Sequence, residues 1–141
     1  MKIRELLESD KTTLSFEVFP PKKDMDFANV EKAAFGIAQL QPSYMSVTYG
    51  AGGSTKGHTI RLAGDIQKKF NVPTIAHLTC VCATKESIEQ ALSQMKEAGI
   101  ENILALRGDV PKDFNGNAFI DFSHASELVK LIKENGDFCV G

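Results

Sequence analysis

The chain has no tryptophan, two tyrosines and three cysteines among 141 residues. Three cysteines without evenly spaced pairs exclude a disulfide framework, and reduced thiols in a cytoplasmic protein are expected. No apolar run approaches the ~18 residues of a membrane span, so no membrane partner is expected. Neither sign of charge dominates: 16 Lys and Arg stand against 18 Asp and Glu. The basic excess with which nucleic-acid binders meet phosphates is missing, and no nucleic-acid partner is expected. The segment Met1 to Lys11 carries Glu5, Glu8 and Asp10 and lacks an apolar stretch, so a secretory leader is not expected. Low-complexity segments and shifts of composition are absent too. One domain, or part of a larger one, is the expectation.

What is present is ordinary globular material, 43% hydrophobic and 24% charged. It alternates. Residues 14–19, 44–49, 74–80 and 102–107 are short apolar runs bounded by Gly, Pro or Asn, the pattern of strands. A fifth strand is expected at 138–140. Between them lie stripes at the helical period: Phe27, Val30, Ala34, Ile37 and Ala38; Thr59, Leu62, Ala63, Ile66 and Phe70; Ile88, Ala91, Leu92, Met95 and Ala98; Ala125, Leu128, Val129 and Ile132. Gly99 and Gly136 stand where left-handed helix caps are expected. Residues 1–9, with Ile3, Leu6 and Leu7, read as a short helix packed on the body. Strand and helix in turn, four times over, imply parallel neighbours. Two α/β architectures compete: an open doubly wound sheet, and the first half of a (β/α)8 barrel, whose full length is about 250 residues.

The polar residues inside these strands are not scattered. By the period of two, Ser15, Glu17 and Phe19 oppose Leu14, Phe16 and Val18; Ser46 and Thr48 oppose Met45 and Val47; Ile75, His77 and Thr79 share a face. In the fourth strand, Leu104 and Leu106 are expected to meet the helices, with Ala105 and Arg107 facing away. Glu17, Thr48, His77, Arg107 and Asp109 thus fall toward the C-terminal ends of successive parallel strands, where α/β folds bind ligands. Glu17 stands among Phe16, Val18 and Phe19. If buried there, its carboxyl either finds a partner or keeps its proton, as a general acid near neutral pH must.

The segment from Tyr49 to Thr55 is rich in glycine and leads from a strand into a helix, a place for backbone N–H groups to approach a ligand. It matches neither stricter motif. Thr55 replaces the third glycine of Gly-x-Gly-x-x-Gly, and His58 follows Gly57 where a P-loop has lysine. Cys80 and Cys82, with His77 nearby, lack the Cys-x2-Cys spacing of zinc sites, so no metal is expected. Tyr44 and Tyr49 read as packing residues.

Four segments occur in order: Ser15-Phe16-Glu17-Val18-Phe19-Pro20-Pro21, Ser46-Val47-Thr48-Tyr49-Gly50-Ala51, Ala76-His77-Leu78-Thr79-Cys80 and Leu104-Ala105-Leu106-Arg107-Gly108-Asp109. Together they resemble the N-terminal half of the flavin-dependent methylenetetrahydrofolate reductases, and the resemblance runs across nearly the whole chain. It implies that residues 1–141 form the N-terminal half of one catalytic (β/α)8 barrel. The enzyme holds FAD at the barrel's C-terminal face. NADH or NADPH reduces the flavin, which then reduces 5,10-methylenetetrahydrofolate to 5-methyltetrahydrofolate for methionine synthesis, in ping-pong order.

Matched residue by residue, the resemblance makes Glu17 the general acid that protonates folate N10. It makes Thr48, Tyr49 and His77 contacts to FAD, and Arg107 and Gly108 contacts to the cofactor, the arginine suited to its phosphates. Asp109 falls beside the flavin ring and the pterin, where its charge would tune the redox potential. Glu17, Phe19 and Lys22 lie in the stretch that meets the nicotinamide substrate. His124 and Ala125 align where the family often has Tyr-Ala beside the cofactor. Val18 and Lys22 replace a common phenylalanine and a common arginine. Two readings follow for the chain: a reductase barrel half with little activity alone, or a non-catalytic half-barrel subunit. Either is expected to be a homo-oligomer or to take a partner chain that completes the barrel.

Overall fold

Five parallel strands lie side by side in the order in which the chain makes them. The computed structural model describes residues 1–21, 23–50 and 55–141. Helix α1 (Ile3–Leu7) precedes β1 (Ser15–Val18); a 3-10 turn (Asp24–Asp26) leads into α2 (Phe27–Ala38) and β2 (Tyr44–Val47). Then come α3 (Lys56–Phe70), β3 (Thr74–Thr79), α4 (Lys85–Glu97), β4 (Asn102–Leu106), α5 (Ala125–Asn135) and β5 (Cys139–Val140). The sheet order is β1-β2-β3-β4-β5. A doubly wound sheet reverses direction at a switch point. This one does not, which decides between the two architectures: it is an arc of a (β/α)8 barrel, four βα units and the start of a fifth.

The register sorts every strand residue onto one of two faces. Val18, Val47, Ala76 and Ile103 stand in one row, and Leu78 pairs with Ala105. These and Met45 are buried under the helices. The helical stripes supply the other side of that core: Leu62, Ala63, Ile66, Leu92, Met95, Leu128 and Ile132 are among its buried members. The opposite face carries Glu17, Ser46, Ile75, His77, Leu104 and Leu106, and much of it is open, as the inner wall of half a barrel must be.

That register overturns one expectation. Ile103 and Ala105 meet the helices, while Leu104 and Leu106 lie on the face of His77. All four residues are apolar, so alternation alone did not mark the inward side. Gly136 is also not a left-handed cap: its φ is 165, extended backbone, whereas Gly99 has φ 78. A Cβ there would stand 2.8 Å from Lys96 Cε, the movable end of a long side chain, and 3.1 Å from Phe138 Cε2.

Local chemistry fixes the helix starts that border the open end. Thr84 caps α4: its Oγ1 accepts from Ser87 N at 3.2 Å, and Ser87 Oγ accepts from Thr84 N at 3.0 Å. In the first turn of α3, Thr59 Oγ1 donates to the Thr48 carbonyl at 2.8 Å, and Thr55 Oγ1 accepts from Gly50 N at 2.6 Å. Helix α3 is thereby tied to the end of β2. At the other end of the sheet the buried Asn102 holds the N-terminal segment. Its Oδ1 accepts from Ile3 N at 2.8 Å, and its Nδ2 donates to the carbonyls of Met1 and Thr74. The terminal amine pairs with Glu101. Among the described residues no helix is long and apolar enough to cross a membrane.

Candidate active site

Neighbouring strands bring three polar side chains together on the open face. Glu17 on β1 and Ser46 on β2 are partners in register, and His77 on β3 lies one pleat further along. Ser46 Oγ donates to Glu17 Oε2 at 3.2 Å and stands 2.7 Å from His77 Nε2. His77 Nε2 is itself 3.5 Å from Glu17 Oε2. The cluster follows from the pleat: any residue whose side chain leaves the helix-covered face must enter this one.

Environment divides the three. His77 is buried, 7% exposed, and burial pushes its imidazole below the ordinary 6.5, with the Glu17 charge opposing in part. Glu17 is different from its sequence expectation. Its side chain is 47% exposed on the open face. The burial that would have forced a proton onto it is missing; it has found partners instead, in Ser46 and His77. Ser46 is the residue that sequence reasoning passed over. The signal was available, a hydroxyl in an apolar strand on the same face as Thr48, but a lone serine carries no motif.

The other expected site residues gather at the same ends of the strands in varying degree. Thr48 is half-buried, and its N–H donates to the Val18 carbonyl at 3.0 Å. Tyr49 packs against the core, and burial pushes its phenol up to about 12. Arg107 is exposed; its Nε donates to the Gly108 carbonyl at 3.2 Å, and its guanidinium lies 5.6 Å from the Phe119 ring centroid. Among the described residues it makes no ion pair. Gly108 has φ 83, and a Cβ there would come within 2.8 Å of Val81 Cγ1 and 2.9 Å of Thr79 Cβ, so only glycine fits this turn. Thr79, which the sequence placed on this face without a role, has the one buried side-chain oxygen lacking a partner among the described residues. With Tyr49, Lys56, Cys82 and Ser87 it lines a cavity of about 190 Å³.

Asp109 and Phe19 are exposed. His124 is exposed as the residue before α5, and Ala125 is half-buried as its first. The His124 carbonyl lies 3.9 Å from Cys80 Sγ, which sets the start of α5 beside the end of β3. Glu127 accepts from the backbone N–H of His124 and Ser123, and those bonds hold its carboxyl below the ordinary range. Lys22 and the glycine-rich residues 51–54 lie outside the described residues. His58 Nδ1 donates to the Pro21 carbonyl, and its Nε2 is 2.7 Å from Asp24 Oδ1. Cys80, Cys82 and Cys139 are free thiols, and among the described residues no three His, Cys, Asp or Glu side chains converge as a metal site would require.

Comparison with known proteins identifies the family. The family model described as methylenetetrahydrofolate reductase matches residues 2–141. The chain belongs to the methylenetetrahydrofolate reductase family. It is 39% identical to Methylenetetrahydrofolate reductase 2 of Schizosaccharomyces pombe, covering 100% of this chain and 23% of that protein. It is 36% identical to Methylenetetrahydrofolate reductase (NADH) 1 of Arabidopsis thaliana, over 97% of this chain and 24% of the relative. The 5,10-methylenetetrahydrofolate reductase of Pectobacterium carotovorum is 33% identical, over 91% and 42%. The chain therefore spans about a quarter of its eukaryotic relatives and under half of the bacterial one. Among solved structures, a phosphoenolpyruvate phosphomutase from Streptomyces platensis superposes with a TM-score of 0.62 at 14% identity, over 98% of this chain and 50% of that one. That likeness concerns the fold alone: these are barrel enzymes, and this chain corresponds to half of one.

Proposed function

We propose that residues 1–141 supply the first half of a catalytic barrel that reduces 5,10-methylenetetrahydrofolate to 5-methyltetrahydrofolate, with NADH or NADPH as donor and FAD as carrier. The observation that carries this reading is the Glu17–Ser46–His77 cluster at the ligand-binding end of the sheet, in a chain of this family. FAD, when bound, supplies the two-electron chemistry between the nicotinamide and the folate. The residues present fit such a group. Among the described residues, Thr79 Oγ1 is buried with a spare hydrogen bond and Arg107 offers a guanidinium without a carboxylate partner. The cavity beside Thr79, about 190 Å³, is too small for a whole dinucleotide, so most of the cofactor would lie along the open face.

Glu17 is the general acid. Its carboxyl, half-exposed and steadied by Ser46, delivers a proton to folate N10 and opens the five-membered ring to the species that accepts hydride. Thr48, Tyr49 and His77 serve the flavin from β2 and β3. Arg107, Gly108 and Asp109 would hold it from the turn after β4, where Asp109 would bring its carboxyl to the flavin and the folate. His124 and Ala125 border the cofactor at the start of α5, while Phe19 and Lys22 meet the substrates. Three free thiols fit a reducing, cytoplasmic setting.

The test is Glu17→Gln in the complete reductase that carries this sequence. Folate reduction is expected to fall by at least about a hundredfold, the low end of what a general acid contributes, while NAD(P)H oxidation with an artificial acceptor continues. Equal loss of both half-reactions, or loss of neither, would contradict the assignment.

A second reading has its own observation. The inner face is open, and β1 and β5 are edge strands, the geometry of a half-barrel subunit that pairs with another chain or a second copy. A clean monomer in solution argues against that reading.

A further inference from the structure

We infer that Ser46 is a positioning residue that joins Glu17 and His77 into one proton-sharing unit. The inference rests on the proposed role of Glu17 and adds to it the source of the acid's next proton.

Ser46 Oγ carries one proton and faces two partners, Glu17 Oε2 at 3.2 Å and His77 Nε2 at 2.7 Å. An ionised carboxylate only accepts. When Glu17 is ionised, the hydroxyl proton belongs to Glu17, and His77 must present an Nε2–H to the free lone pair of Oγ. When Glu17 is protonated, the chain can run the other way: its O–H turns to Oγ, the hydroxyl turns to Nε2, and His77 keeps its proton on Nδ1. The direction of two hydrogen bonds therefore follows the state of one carboxyl.

The same path moves a proton. After Glu17 has protonated the folate, it is a carboxylate. With His77 doubly protonated, the Nε2–H bond breaks as a new Oγ–H bond forms, and the original Oγ–H bond breaks as Glu17 Oε2–H forms. Ser46 ends unchanged, Glu17 is an acid again, and His77 is neutral with its proton on Nδ1. Burial weakens the hold of His77 on its second proton. The cycle closes when solvent water returns the second proton to His77, which the relay itself does not supply. From β1 the charged neighbour is Glu17, and from β4 the register partner is the apolar Leu104. The direct Glu17–His77 separation, 3.5 Å, is too long for a good hydrogen bond, so the hydroxyl is the connected route.

The chain has three histidines, His58, His77 and His124, so ring-nitrogen NMR can follow His77 in the 141-residue protein itself. The wild type is expected to show an Nε2–H proton on His77 protected from exchange, with a pH response of two steps. One step belongs to Glu17 and is missing in Glu17→Gln. Ser46→Thr, which keeps the hydroxyl in a strand, retains both steps. Ser46→Ala loses protection and the Glu17 step. A His77 ring-proton tautomer that does not follow the Glu17 step, or a Ser46→Ala protein that keeps both steps, would overturn the inference. Neither outcome depends on the folate reaction. In the complete reductase, Ser46→Ala should lower kcat for folate reduction roughly ten- to a hundredfold with KM little changed, and Ser46→Thr should restore it. A wild-type enzyme that does not reduce folate defeats the functional reading and leaves the NMR result standing.

Discussion

At position 77 the protein has placed an imidazole where water is nearly excluded, and the consequence is a pH dependence with a definite sign. Burial lowers the folded-state value below the unfolded 6.5. Between those two values the unfolded chain binds more protons than the folded one, so stability rises with pH across that window. It is fully present above the unfolded value and falls as the pH drops through it. Urea midpoints should therefore be higher at pH 7.5 than at pH 5.5, and His77→Gln should flatten the difference. Equal wild-type midpoints would contradict the burial. The residue scale is also where sequence was least legible. Glu17 announced itself as a carboxylate among aromatics, yet its exposure depended on what stands across the inner face, which no local pattern encodes. Ser46 and Thr79 carried no more signal than a hydroxyl in an apolar strand. They became notable once register and packing showed one bridging two partners and the other, among the described residues, with none.

At the scale of elements the reading was more complete, because a 3.6-residue stripe states both the helix and its buried side. All four long stripes lie on the helices expected of them, and the strands are the expected ones trimmed at their ends. The trimming has a cause. Thr48 and Cys80 each still donate one backbone bond, to the Val18 and Leu106 carbonyls, but the paired ladder ends there as the chain turns toward the next helix. Direction within β4 was illegible for a different reason, four apolar residues in a row. The short helix α1 was expected from Ile3, Leu6 and Leu7, but its anchor was not: Asn102 satisfies Ile3 N–H, the Met1 carbonyl and the Thr74 carbonyl while 2% exposed. Replacing Asn102 by Leu strands those buried backbone groups. The expected cost is about 3 kcal/mol in urea unfolding, from the desolvation of unpaired donors and acceptors. A loss below about 0.5 kcal/mol, the size of an ordinary surface substitution, would show that α1 is not held this way.

At the scale of the molecule, consecutive parallel strands with helices on one side leave a sheet with an apolar, covered face and an open one of mixed polar and apolar residues. The strand-helix count already allowed that architecture; the strand order chose it. The two ends of the sheet do different work. The N-terminal end is tied down by Met1, Ile3 and Asn102, while the C-terminal end collects Glu17, Ser46, His77, Thr79 and the Arg107–Asp109 turn. That division is the central claim, and it is tested most directly by mapping FAD onto the isotopically labelled chain by NMR. Half a barrel should bind weakly, so the titration is carried to millimolar FAD. The account predicts shifts confined to Thr48, Tyr49, His77, Thr79 and Arg107–Asp109, with Asn102 and α1 silent. Shifts concentrated around Asn102 and α1, or none anywhere on the inner face, would contradict it.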